Sequence, residues 1–313
     1  MSDARALPAP RAKGLFRDAA VIAAFDLGES LRSRKVLVFM VLYVVGAIGA
    51  TVIFTEVLQE VEIALAEQLL VARTSDPGSL TQAVMESPEL LRVLSRLVRD
   101  EALARTLVAE PPIALLYHWV ALAFGPIFAV LTSSDTIAAE VSSGSIRFAL
   151  ARTDRAGWLL GKVLGQSLLL VVGLLLGAAG AWVTGWVQLG AFDGPATAAA
   201  LVGYVGTSFV YVWAHLGLAL GVSQLTRSVP WSRALGLLAL VSAFGIHRFL
   251  ERDWVVEAVP VLSGSLRQLF PVAHRLDLWR PGLEASAPAL LLLLALGSTY
   301  IVLGYLRFAR RDA

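Results

Sequence analysis

The chain has four histidines, at 118, 215, 247 and 274, and no cysteine. A structural zinc site gathers four N or S ligands within a short reach, and these residues are scattered. HExxH is absent, and no serine stands in a GxSxG elbow. The nearest approach to a phosphate-cradling loop is Gly157-Trp-Leu-Leu-Gly161-Lys162-Val163. It is one residue short of a P-loop, lacks Ser or Thr after the lysine, and opens an apolar run instead of following a strand. No catalytic residue, metal site or bound cofactor is expected in this chain, and it is not expected to be an enzyme.

The polar residues that do cluster lie between the second and third apolar runs: Asp135, Glu140, Gly144, Ser145, Arg147, Arg152 and Arg155. Asp135 is placed to cap a short helix that Gly144 ends. Ile146, Phe148, Ala149 and Leu150 then set apolar surface beside Arg147, Arg152 and Arg155. An amphipathic piece of this kind is suited to a groove on a soluble partner. Glu140 and Arg155 are the charged residues expected to set the loop's geometry or to meet that partner; the plainer reading is that they face water.

Four polar side chains fall inside apolar runs: His118, Lys162, Gln166 and His215. Burying such groups in a bilayer is costly, so each is a candidate by default. Lys162 stands near the start of its run and is expected to snorkel towards the interface. His118 and His215 differ in depth by residue count, which argues against a proton relay, so each is expected to be a hydrogen-bonded interior residue. Gly157, Gly161, Gly165, Gly173, Gly177 and Ala181 recur at intervals of four or eight, and Gly203, Ala214, Gly217 and Gly221 repeat the idea in the next run. Small residues so spaced let a second helix approach closely, either within one subunit or between two.

The elements that must hold these residues follow from composition. Of 313 residues 57% are hydrophobic and 16% charged, and the mean hydropathy is +0.71. Soluble chains carry about 45–50% and about 25%, so this is an all-α polytopic membrane protein. A net charge of +2 is too small to suggest a nucleic-acid partner. Runs long enough to span, roughly 20 residues each, occur at 36–54, 113–131, 158–183, 197–222, 234–250 and 287–306. Residues 1–35 form a leader and 36–313 the transmembrane domain.

Residues 1–35, 132–162, 223–233 and the tail hold sixteen basic and eight acidic residues, against ten and sixteen in 55–112, 187–196 and 248–286. Short basic loops stay in the cytoplasm, which predicts a plasma-membrane (inner-membrane) protein with both termini cytoplasmic. No cleavable signal is expected, because the first apolar run begins only at Val36 and is long enough to remain in the bilayer. Leu15, Phe16, Ala19, Ile22, Ala23 and Leu27 recur at helical spacing. They predict an interfacial amphipathic helix along the inner leaflet.

Two outer segments differ in kind. In 55–112 a stripe of Val57, Leu58, Val61, Leu65, Leu69 and Leu70 precedes the turn Asp76-Pro77-Gly78-Ser79. Ser87-Pro88 then opens a second stripe through Leu90, Leu91, Leu94, Leu97 and Val98. A small helical subdomain is expected, packed on itself, a second subunit or an extracytoplasmic protein. In 251–286, Pro260, Gly264, Pro271 and Pro281 break an apolar stretch into pieces too short to span, which predicts re-entrant or interfacial helices.

Glu140, Gly144, Ser145, Ile146, Leu150, Arg155, Gly161 and Lys162 match the first inner loop of ABC-2 type transport permeases, and in outline the whole chain resembles that family. Ser145 stands where the family usually has Thr, and Thr153-Asp154 where it has Pro-Val or similar. The resemblance implies the membrane subunit of an ATP-driven exporter: two six-span permeases, here a homodimer, in contact with membrane lipid, and two copies of a separate ABC ATPase subunit that carry the ATP and Mg. It makes 135–155 the coupling helix region and 11–34 the elbow helix. An ATP-independent secondary transporter, or a membrane scaffold recruiting an extracytoplasmic partner through 55–112, are the alternatives. A mostly apolar pathway suits lipids, lipid-linked glycans, amphipathic drugs or peptides.

Overall fold

The computed structural model describes residues 14–68, 100–280 and 282–310, with positions 91, 92, 95, 96 and 98. Among the described residues there is no strand, and the fold is all-α. The chain runs through α1 (Leu15–Arg32), α2 (Arg34–Gln68), α3 (Glu101–Leu107), α4 (Pro112–Ser133), α5 (Thr136–Ser143) and α6 (Ile146–Leu150). It continues with α7 (Arg155–Gln188), α8 (Gly194–Ser223), α9 (Val229–Leu250), α10 (Asp253–Ala258) and α11 (Pro260–Arg267). Two 3-10 turns, Pro271–His274 and Leu276–Trp279, lead into α12 (Leu283–Ala309).

Six of these helices, α2, α4, α7, α8, α9 and α12, are long and apolar enough to cross a membrane. They coincide with the six expected runs, each extended by a few residues or more at its ends. The ends are set by local chemistry. Asp154 accepts the Gly157 amide at the start of α7, and Asp193 accepts that of Ala196 at the start of α8. The 34 residues of α7 make a rod about 50 Å long, against a hydrocarbon core of about 30 Å. Part of α7 must therefore tilt or stand outside the bilayer.

Burial separates the helices into two classes. In α4, 72% of the most apolar window is buried inside the protein, and in α8 61%, whereas in α9 and α12 it is 22%. So α4 and α8 form the centre, and α2, α9 and α12 offer wide faces to lipid. Glycine makes the tightest crossing. A Cβ on Gly217 would run into the Gly297 backbone, and one on Gly221 into that of Tyr300, so α8 and α12 touch main chain to main chain. The glycine spacing on α8 was legible; Gly297 and Gly304, its counterparts on α12, stand seven residues apart. Aromatic contacts close the other seams: Tyr43 stacks on Phe128 at 5.3 Å, and the Tyr117 hydroxyl donates to the Leu174 carbonyl at 2.5 Å.

The leader is a helix, as its periodicity requires. Ala19, Ala23 and Asp26 form its buried face, which lies lengthwise on the first half of α7. There Gly161 faces Ile22 and Gly165 faces Asp26. At Ser33 the backbone turns extended, and the chain passes into α2. Beyond the bundle, α2 continues without a break to Gln68. Leu58 on it shares one buried cluster with Val98, Leu103, Ala104 and Leu107. The turn at 76–79 and the helix start at Ser87-Pro88 lie outside the described residues. In 251–286 Pro260 and Pro271 open short helices, as expected, whereas Gly264 lies inside α11 without breaking it and Pro281 lies outside the described residues. The second half returns to the bundle, where Leu278 and Trp279 are buried and Trp279 meets His118 edge-on at 4.7 Å.

Candidate functional site

The densest polar arrangement surrounds Lys162, about two turns into α7. Its ammonium group lies 2.5 Å from Asp26 on α1 and is also paired with Glu140 on α5. The side chains of Lys162 and Asp26 are each 3% exposed. Lys162 therefore does not snorkel to water. Two carboxylates reach it in place of solvent, because α1 packs along this stretch of α7 and the Glu140 side chain reaches across from α5. Gln166, one turn further, is fully used: its amide donates to Asp26 at 2.7 Å and to Ser30 at 3.1 Å, and its carbonyl accepts from Ser133 on α4 at 2.8 Å. The Trp158 indole donates to Glu140 at 3.2 Å. A buried ion pair is tolerated when its remaining donors and acceptors are satisfied. Here one network of seven side chains pins α1, α4 and α5 to α7.

The opposite end of α5 is held differently. Asp135 was expected to cap this helix, yet its carboxylate makes no cap. It pairs instead with Lys35 at the start of α2, 2.5 Å away, and with Arg233 near the start of α9 at 2.6 Å. The cap comes from another helix: the Ser223 hydroxyl at the end of α8 accepts the amides of Ile137 and Ala138, both at 3.1 Å. Two competing cations drew the acid away from the helix start, and a buried hydroxyl took its place. Gly144 ends α5 at φ +75°, as expected; that left-handed conformation suits glycine.

Beyond Gly144, and before Arg155, the loop projects. Ser145, Arg147, Phe148 and Arg152 are exposed, Phe148 by 81%. Ile146 is buried and anchors the tip. Arg155 turns back to the bundle, where it donates to the Ala309 carbonyl at 2.5 Å and lies 5.8 Å from the Phe308 ring. It thus ties the loop's end to the last turn of α12.

The other sequence candidates are interior residues remote from this loop. His118 bonds Ser208 at 3.0 Å through Nδ1 and stacks on Tyr204. His215 bonds the Tyr211 carbonyl one turn back at 3.0 Å. The glycine row on α7 serves contacts within one subunit: Gly157 faces its own cap and Leu15, Gly161 and Gly165 receive α1, Gly173 receives Phe128, and Gly177 receives Tyr43 and Tyr117. Asp26 was not among the candidates. Its signal was available, since an acid at 26 shares the helical face of Ala19, Ile22 and Ala23 and must be buried with them.

Among the described residues, no group of three or more His, Asp or Glu is placed to hold a metal ion. The arrangement offers no nucleophile beside a base; what it can do is carry a displacement of the loop into four helices. A family model described as ABC-2 family transporter protein matches residues 20–250, from within α1 to the end of α9. No curated protein matches the chain.

Proposed function

Because the chain belongs to the ABC-2 family of transporter proteins, we propose that it is the permease of an ATP-driven exporter whose motor is a separate ATPase subunit seated on the α5–α6 loop. The excess of basic residues on this side of the sequence puts the loop and both termini in the cytoplasm. Two copies of this chain and two ATPases, which hold the ATP and Mg, complete the transporter.

The observation that carries the reading is the contrast within 135–155: α6 exposes Phe148 between two arginines, and it directly follows α5, which buried polar contacts hold at Ile137 and at Glu140. A partner that grips the tip moves α5 as a rigid piece. Through Glu140 and Lys162 that movement reaches α1 and α7; through Asp135 it reaches α2 and α9. Closure of the two ATPases would then shift the population between two packings of the bundle. Glu140, Asp135 and Arg155 act here as positioning residues, and Arg147, Phe148 and Arg152 as the contact surface.

Affinity purification of the chain from its native membrane tests this. It should bring down a P-loop ATPase in equal ratio, and Phe148→Asp should release that ATPase while the melting temperature of the permease stays unchanged. Transport by the purified chain with no ATPase present would sink the proposal.

A further inference from the structure

At the end of the bundle away from the α5–α6 loop, the chain leaving α9 encloses a cavity of about 490 Å³ lined by Arg248, Glu251, Arg252, Asp253 and Arg267. That volume lies within the roughly 300–1,000 Å³ of small-molecule sites. Arg248 is paired with Glu251 at 2.9 Å. Arg252 and Arg267 have no carboxylate partner among the described residues, although both line the same space. Beside them His247 is 11% exposed, and its Nδ1 is buried without a hydrogen-bond partner. Arg267 and Arg275 are near enough to act on that ring electrostatically. Cations gathered without enough anions are unfavourable by themselves, so the cavity is complementary to an anion that the chain does not supply.

Position and surroundings define the anion. Arg248 lies on the last turn of a membrane-spanning helix, Glu251, Arg252 and Asp253 directly follow it, and Arg267 at the end of α11 folds back beside them, which is headgroup depth. Next to them Trp254 is 60% exposed and packs edge-on against the half-exposed Phe249 at 5.5 Å. Val259, Val261, Leu262 and Leu266 on and before α11 are also exposed. A water-facing loop would hide such groups; acyl chains would cover them. Guanidinium groups bind phosphate through paired N–H donors. We propose that this cavity binds the phosphate-bearing headgroup of an anionic membrane lipid, held by Arg252 and Arg267, with its acyl chains lying along Trp254 and α11.

The test uses the full chain in detergent, titrated with short-chain phosphatidylglycerol, phosphatidylcholine or inorganic phosphate, with retained ligand counted by native mass spectrometry. Phosphatidylglycerol should bind about ten-fold more tightly than phosphatidylcholine. Arg252→Gln with Arg267→Gln should abolish that preference without changing the melting temperature. Asp253→Asn, which removes a negative charge from the exposed rim, should strengthen it. Equal retention of both lipids by the parent, or an undiminished preference in the double variant, would overturn the site. Inorganic phosphate that binds as tightly as the lipid and displaces it would overturn the lipid assignment.

Discussion

The two ends of α5 are both held by ion pairs, yet they are different structures. At Glu140 the partner Lys162 and its second acid Asp26 are each 3% exposed, and every neighbouring polar group is engaged. At Asp135 the outer partner Arg233 is 52% exposed, and Lys35 stands in reserve on the other side. A charge stranded in a low-dielectric interior is expensive, while a charge at the surface is rehydrated. One end is therefore a rigid joint, and the other is a replaceable tether. The lesson is that two acid–cation contacts on one short helix carry unequal weight, and the burial of the cation decides which, since Asp135 itself is 9% exposed and Glu140 21%.

The contrast gives graded outcomes in detergent-solubilised protein. Lys162→Ala leaves Asp26 and Glu140 facing each other without a cation. It should cost about 3–5 kcal/mol of stability, read as a large fall in melting temperature; an unchanged melting curve would show that the cluster is hydrated. Ser223→Ala removes the cap donated from α8 and should cost about 1 kcal/mol. It should also speed amide exchange at Ile137 and Ala138 while sparing α7. Arg233→Ala strips one of two cations from Asp135 and should cost only about 0.5 kcal/mol. A loss as large as that of Lys162→Ala would erase the distinction between the two ends.

The largest substitution should also bring only a small change. Asp26→Asn, Glu140→Gln and Lys162→Met together remove the charge of this cluster, and stability should return to within about 1 kcal/mol of the parent. Coupling between an ATPase and transport should not return with it, because α5 has lost its hold on α7. Recovery of both would mean that the cluster is a packing feature only.

Much of this architecture was legible in the residue order. The six spans are apolar runs about as long as a bilayer needs, and no tertiary contact is required to recognise them. Gly144 ended its helix as expected because the left-handed turn is a local property of one residue. The α7 and α8 glycines announced close packing through their spacing alone. Lys162, by contrast, was expected at the interface, since a lysine near the end of a span usually reaches water. Its acids lie on other helices, and Asp26 is 136 positions away. Asp135 was expected to cap α5 for the same kind of reason: a local rule ignores cations delivered by α2 and α9.

The residue order by itself thus determined where the chain crosses the bilayer, how many times, and which helix faces are small enough to meet closely. Those outcomes depend on transfer from water and on local backbone geometry, which act within a few residues. Tertiary structure alone decided which carboxylate meets which cation, which hydroxyl caps α5, and that α1 covers the glycines of α7. A charge interacts with whatever the folded chain brings within a few ångströms, and in this protein those partners arrive from helices far apart in sequence.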